Sequence, residues 1–167
     1  MTNVQYKQIS FILNGKQVTA SIDVRESLAD ILRVEFGMTS VKKGCEVGEC
    51  GACTVLIDGK PYDSCIFLAA WIDGKEVLTL EGLMDEEGNI SDIQQAFIDE
   101  AAIQCGFCTP GFIMSAEHLL RGGGRHSREE IRRELSGNMC RCTGYQNIVN
   151  AVEKTMEKRL EETEAGI

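Results

Sequence analysis

Eight cysteines in 167 residues are the side chains with the most chemistry to offer, and they fall into two groups of four. The first group is Cys45, Cys50, Cys53 and Cys65, spaced C-x4-C-x2-C with eleven residues before the fourth thiol. This is the plant-type spacing for thiolate ligation of a 2Fe–2S cluster, with a shortened final gap. The glycines of the loop, Gly44, Gly48 and Gly51, fit the same chemistry. Cluster sulfurs carry excess negative charge, so backbone N–H groups must converge on them. Glycine permits the positive φ and the close approach that this wrapping needs. A zinc site needs fewer glycines and more often draws on C-x2-C pairs. The second group is Cys105, Cys108, Cys140 and Cys142, a C-x2-C pair followed thirty-one residues later by C-x-C. On spacing alone this quartet suits four-thiolate zinc as well as an iron–sulfur cluster. A redox C-x-x-C pair would leave Cys140 and Cys142 without a role. Cys108 lies just before Pro110, which places the pair at a helix amino terminus, where the dipole favours thiolate.

Two kinds of scaffold must position these loops. Residues 4–13 alternate loosely as a strand, Asn14-Gly15 is a hairpin signal, and residues 16–22 form the return strand. Ser27 caps a helix to about residue 36, with Leu28, Ile31, Leu32 and Phe36 on one face and Gly37 as the stop. The glycine-rich loop 43–53 leads into a strand at 54–57, an Asp58-Gly59 turn and a further strand at 77–80. From Ser91 the period turns helical. Helices are expected over 93–102, from Pro110 to the Gly122-Gly123-Gly124 break, from the Ser127/Glu130 capping box to about 135, and over 146–162. Four helices with short connections suggest a small bundle. The expectation is therefore an α+β chain with a sheet domain over 1–82, a linker at 83–90 and a helical domain over 91–167. Neither domain has a generous core, so a metal centre in each would help hold it together.

Composition narrows the function. With 43% hydrophobic and 26% charged residues the chain reads as globular. Lys+Arg 17 against Asp+Glu 26 gives a formal charge of −9, which argues against nucleic acid as a partner. The longest apolar run, residues 65–72, is too short to span a membrane. Residues 1–10 carry no signal core and no twin arginine, so the expected location is cytoplasmic, where thiol pairs bind metal more often than they form disulfides. There is no G-x-G-x-x-G and no G-x-x-x-x-G-K loop, so substrate and terminal acceptor should belong to other chains.

Three motifs resemble one known family. Residues 44–55, Gly-Cys-Glu-Val-Gly-Glu-Cys-Gly-Ala-Cys-Thr-Val, look like the plant-type cluster loop of the molybdenum hydroxylases. Residues 104–111, Gln-Cys-Gly-Phe-Cys-Thr-Pro-Gly, and 137–145, Gly-Asn-Met-Cys-Arg-Cys-Thr-Gly-Tyr, are similar to the two halves of their other cluster site. The order is the family's, and the chain resembles the separate iron–sulfur small subunit of xanthine dehydrogenase-type enzymes. The resemblance implies a β-grasp, plant-type ferredoxin domain followed by a four-helix-bundle domain. It implies two 2Fe–2S clusters, so that iron rather than zinc is expected at Cys105, Cys108, Cys140 and Cys142 as well as at Cys45, Cys50, Cys53 and Cys65. It also implies a large partner subunit with a molybdenum–pterin cofactor and a medium one with FAD, in a hetero-oligomer that could be a dimer of heterotrimers. Electrons would pass singly from molybdenum–pterin through the helical-domain cluster and the plant-type cluster to FAD. By motif position, Gln104 and Cys142 would contact the pterin. Purine (xanthine or hypoxanthine) hydroxylation is the expected overall reaction. Aldehyde, nicotinate, carbon monoxide or aromatic acyl-CoA relatives, and a non-catalytic metal-binding module, are the alternatives. Two oxidised clusters with all-thiolate ligation would add about −2 each, giving roughly −13, a reason to expect packing against partners.

Other residues receive plainer readings. His118 and His126 are taken as surface or cap positions. Arg121, Arg125, Arg128, Arg132, Arg133 and Arg141 are taken as a solvated face paired with Glu129, Glu130 and Glu134, with docking to an acidic partner as the alternative. Lys42 and Lys43 either tune the first cluster or solubilise its loop. Phe107 and Tyr145 should shield a cluster, and Trp71 should be core or a subunit contact.

Overall fold

Alternation sets the first strand. Ile9, Phe11 and Leu13 point inward from β1 (Tyr6–Leu13) in the computed structural model, which describes residues 4–166. Residues 1–3, part of the stretch read as lacking a signal core, and residue 167 lie outside the described residues. Asn14-Gly15 turns the chain into β2 (Lys16–Asp23), with Leu13 opposite Lys16. The sheet is completed by β3 (Thr54–Ile57), β4 (Lys60–Asp63) and β5 (Glu76–Leu78) in the order β2-β1-β5-β3-β4. β1 and β5 are parallel, and the other neighbouring pairs are antiparallel. Helix α1 (Leu28–Val34) lays Leu28, Ile31 and Leu32 on this sheet, and the Ser27 hydroxyl accepts from the Asp30 amide as its cap.

Strand β4 was not foreseen, because Lys-Pro-Tyr-Asp shows neither an apolar run nor a β-rich one. It lies at the sheet edge, where the missing N–H of Pro61 is tolerated. The expected strand at 77–80 instead ends at Leu78, and Leu80–Leu83 is a short 3-10 turn whose leucines pack on the helical core. All four residues of β3 are buried, because β3 is covered on one face by its own core and contacts the helical region on the other.

The helices are α2 (Asp92–Asp99), α3 (Thr109–Arg121), α4 (Arg128–Glu134) and α5 (Gln146–Glu164). The chain thus has an α+β architecture with a sheet domain followed by a helical region. Helix α2 stops three residues before the expected Ala102, since Ala101 takes a positive φ. The helical core is built from Ile93 and Phe97 of α2, Phe112, Ile113 and Ala116 of α3, Ile131 of α4, and Ile148, Val152 and Met156 of α5. At its edge Arg159 donates to both oxygens of Asp92, at 2.7 Å each, and to buried Glu117 at 2.8 Å, which ties α5 to α2 and α3. Replacing Arg159 with leucine leaves both carboxylates without this partner. A loss of about 2 kcal/mol in urea unfolding is expected, less than for a fully buried pair because the side chains are partly exposed. Arg159 also holds the Asp92 carboxyl below its ordinary 3.8. A carboxyl depressed on folding stabilises fully above 3.8 and loses that share as pH falls through its folded value. Arg159→Leu should therefore lose less additional stability on acidification below about pH 3.8 than the parent does.

Candidate metal centres

The first cysteine loop follows α1 and is held open by its backbone. Gly48 and Gly51 have φ of +76° and +66°, the left-handed region in which glycine is unstrained. Gly44 serves differently. A Cβ there would lie 3.0 Å from Cys50 Sγ, so only a hydrogen lets the loop close on that thiol. The amides of Val47 and Glu49 point at Cys45 Sγ, at 3.5 and 3.3 Å, and with the Cys50 groups they bring its thiol down to about 7. Burial pushes the Cys53 thiol up to about 12, with Cys65 beside it, and Cys53 lies 3.8 Å from Asp63 of β4. Burial likewise raises Asp63. Lys43 is occupied by Asp30 and Glu46, at 2.7 and 2.8 Å, and so ties the loop to α1, while Lys42 donates to the Thr39 carbonyl ahead of the loop.

The second quartet straddles two helix starts. Cys108 is the residue that caps α3, with Pro110 in its first turn, as its spacing suggested. Burial raises the Cys108 thiol to about 12, helped by neighbouring Cys140. Burial acts the same way on Cys140, but the hydroxyl and amide of Thr143, 3.1 and 3.4 Å from its sulfur, outweigh it and hold the thiol below its usual value. Cys142 Sγ lies 3.6 Å from Cys105 Sγ, and that neighbour raises it. Tyr145, at φ +69°, accepts the Cys140 amide on its hydroxyl at 3.0 Å, with its ring edge-on to Phe112.

All eight cysteines are free; Cys105 and Cys142 lie 3.6 Å apart, and Cys50, Cys65 and Cys140 neighbour Cys45, Cys53 and Cys108 closely enough to shift their thiols. Among the described residues no three His, Cys, Asp or Glu side chains converge closely enough to hold one metal ion. Four neighbouring thiols per quartet, with N–H groups aimed at Cys45 and Cys140 sulfur, are a donor set that fits an iron–sulfur cluster. Cys105, Cys142 and Gln104 are exposed, whereas Cys53 is buried.

The two motifs also abut. The Met139 amide donates to the Cys50 carbonyl at 3.0 Å, and a Cβ on Gly44 would meet the Phe107 ring at 3.3 Å. Phe107 therefore covers part of the first loop, although it belongs to the second motif. His118 lies at the surface, as expected, and its ring also bridges to the Gly59 carbonyl at 2.8 Å, joining α3 to the β3–β4 turn. His126 turns its amide to the Met156 sulfur, and its Nε2 is buried without a partner among the described residues. Of the arginines, Arg133 pairs with Glu129 as expected. Arg121 and Arg128 reach instead to Glu117 and Glu153, which lie outside the local stretch. Trp71 is 59% exposed, which rules out the core, and stands edge-on to Phe67. Among the described residues no helix is long and apolar enough to cross a membrane.

Comparison with known proteins finds two families along the chain. The 2Fe-2S iron-sulfur cluster binding domain matches residues 11–80, and the [2Fe-2S] binding domain matches residues 79–153. The nicotine 6-hydroxylase small subunit of Paenarthrobacter nicotinovorans is 50% identical over 145 residues, covering 87% of each chain. The xanthine dehydrogenase iron-sulfur-binding subunit of Escherichia coli O157:H7 is 56% identical over 137 residues, 77% of this chain and 82% of that one. Among solved structures, quinoline 2-oxidoreductase from Pseudomonas putida 86 superposes with a TM-score of 0.89 at 42% identity, over 94% of this chain and 98% of the other. Further relatives carry the names of nicotinate, caffeine and aldehyde enzymes.

Proposed function

The chain belongs to the iron–sulfur small subunits of the molybdenum-hydroxylase, xanthine dehydrogenase-like family, and from that premise we propose that it carries electrons one at a time between a molybdenum–pterin subunit and an FAD subunit. It is the iron–sulfur subunit of a multi-subunit oxidoreductase whose catalytic site lies elsewhere, and its two tandem domains are those of two 2Fe–2S clusters. We assign Cys45, Cys50, Cys53 and Cys65 to one cluster, in a β-grasp domain over 1–82. Cys105, Cys108, Cys140 and Cys142 hold the other, in a four-helix bundle over 91–167, with 83–90 as the connection. The observation that supports this assignment is that each matched 2Fe–2S domain contains one complete quartet, with Cys105 and Cys142 of the second already 3.6 Å apart. The clusters, when bound, supply one-electron redox couples. The chain's own work is to hold them, shield them and space them.

Exposure supports a direction. Gln104, Cys105 and Cys142 lie open to the surroundings, where a pterin-bearing partner could reach them, and this agrees with the roles proposed for Gln104 and Cys142. The substrate is set by the partner. Relatives of comparable similarity are named for xanthine, nicotine and quinoline, so the expectation of a purine widens to N-heteroaromatic or aldehyde hydroxylation. Purification from the source organism tests the reading. The chain should co-purify with two larger chains, one holding molybdenum and one FAD, and adding the substrate should bleach the iron–sulfur absorbance of the complex. Isolation as a free, cluster-loaded chain that reacts with no such partner would favour a stand-alone ferredoxin instead.

A further inference from the structure

Asn138 is 5% exposed and joins three parts of the chain. Its amide nitrogen donates to the Gly51 carbonyl at 2.9 Å and to the Thr54 hydroxyl at 3.3 Å. Its amide oxygen accepts from the Ser115 hydroxyl at 2.7 Å. Thr54 in turn donates to the same Gly51 carbonyl at 2.7 Å. Two glycines make this closure possible. A Cβ on Gly111 would sit 2.1 Å from the Gly51 oxygen, and one on Gly51 would sit 2.4 Å from Asn138 Nδ2. A polar side chain buried this deeply is retained where its hydrogen bonds fix a geometry that an apolar residue of similar size would leave free. The geometry fixed here is that of the adjoining residues. Asn138 is bonded to Met139, whose amide donates to the Cys50 carbonyl, and Met139 is bonded to Cys140.

We infer that Asn138 is the positioning residue for electron passage between the two quartets. It clamps the Cys50 carbonyl to the Met139 amide, so that a path of covalent bonds interrupted by one hydrogen bond runs from a thiol of one quartet to a thiol of the other. The inference rests on the reading that each quartet holds a 2Fe–2S cluster. One electron leaves the Cys105, Cys108, Cys140 and Cys142 quartet and one arrives at the Cys45, Cys50, Cys53 and Cys65 quartet. The Met139 amide keeps its proton, and no bond forms or breaks. Gly51 and Gly111 bring the two backbones together, and Ser115 and Thr54 orient the Asn138 amide.

The test uses the full-length, cluster-loaded protein in its complex, with Asn138→Ala beside the parent. In the fully reduced parent, low-temperature EPR should show two 2Fe–2S signals that split one another. Asn138→Ala should keep its iron content and both signals, lose part or all of that splitting, and equilibrate electrons between the clusters about tenfold to a hundredfold more slowly after pulse reduction, the scale set by small misplacements of reacting centres. Parent-like splitting and parent-like rates in an iron-replete Asn138→Ala protein would overturn the inference. If that variant fails to retain iron, Ser115→Ala, which removes a single partner of Asn138, decides. A smaller loss of splitting supports the inference, and no change overturns it. A parent protein with one signal or with zinc would instead remove the functional reading beneath it.

Discussion

Cys50→Ser is expected to abolish electron delivery to FAD while leaving reduction of molybdenum by substrate intact. Cys50 is paired with Cys45 in a loop whose amides point at sulfur, and its carbonyl receives the Met139 amide. An alkoxide is a poorer ligand for this iron than a thiolate, so the first quartet should lose its cluster and iron should fall from four to two per chain. With the second quartet untouched, substrate should still place an electron on the helical domain, seen as one remaining EPR signal. Cys142→Ser should act one step earlier, because Cys142 is exposed on the side where we place the pterin. Electrons would then stay on molybdenum, and the Cys50-side cluster would remain oxidised on substrate addition. If Cys142→Ser behaved just as Cys50→Ser does, the order of the two centres would be wrong.

The second large effect is expected from a single methyl group. Gly111→Ala puts a Cβ 2.1 Å from the Gly51 carbonyl oxygen and 3.0 Å from Asn138 Nδ2, both part of a buried contact between sheet domain and helical region. Backbone stands on the far side, so no side-chain rotation relieves the clash. Two effects compete. Alanine favours a helix over glycine by about 1 kcal/mol, less in a first turn such as this one. Overpacking a buried contact costs about 1–3 kcal/mol, and here the obstacle is a carbonyl that already accepts two hydrogen bonds. Steric loss should win. The variant should unfold at lower urea, and its Met139 amide should exchange hydrogen faster than in the parent. A raised midpoint would show that the contact between the domains is looser than described.

Local chemistry was legible and long-range chemistry was not. The Asn14-Gly15 hairpin, the Ser27 cap, the Ser127/Glu130 box and the apolar stripe of α5 were readable because each is decided by neighbours within a few residues. The division of the cysteines between the two matched domains was readable for a related reason, since four fall in each stretch of the chain. Strand β4 escaped because an edge strand can be polar and carry proline without penalty. Asn138 escaped because its partners lie 23, 84 and 87 positions away, and no local pattern marks a side chain that acts at such separation. The partner of surface His118 escaped in the same way, its carbonyl lying 59 positions off. The resemblance in the motifs pointed to the family, but it did not reveal that Phe107 of the second motif covers Gly44 of the first.

That two clusters of the 2Fe–2S type occupy this one chain is the claim on which the rest depends. Iron, acid-labile sulfide and zinc should be counted on the purified full-length protein, with EPR of the reduced state recorded on the same sample. Four irons and four sulfides per chain with two distinguishable reduced signals are expected from two complete quartets with no thiol left over. Stoichiometric zinc, or a single iron–sulfur signal at full metal loading, would contradict it.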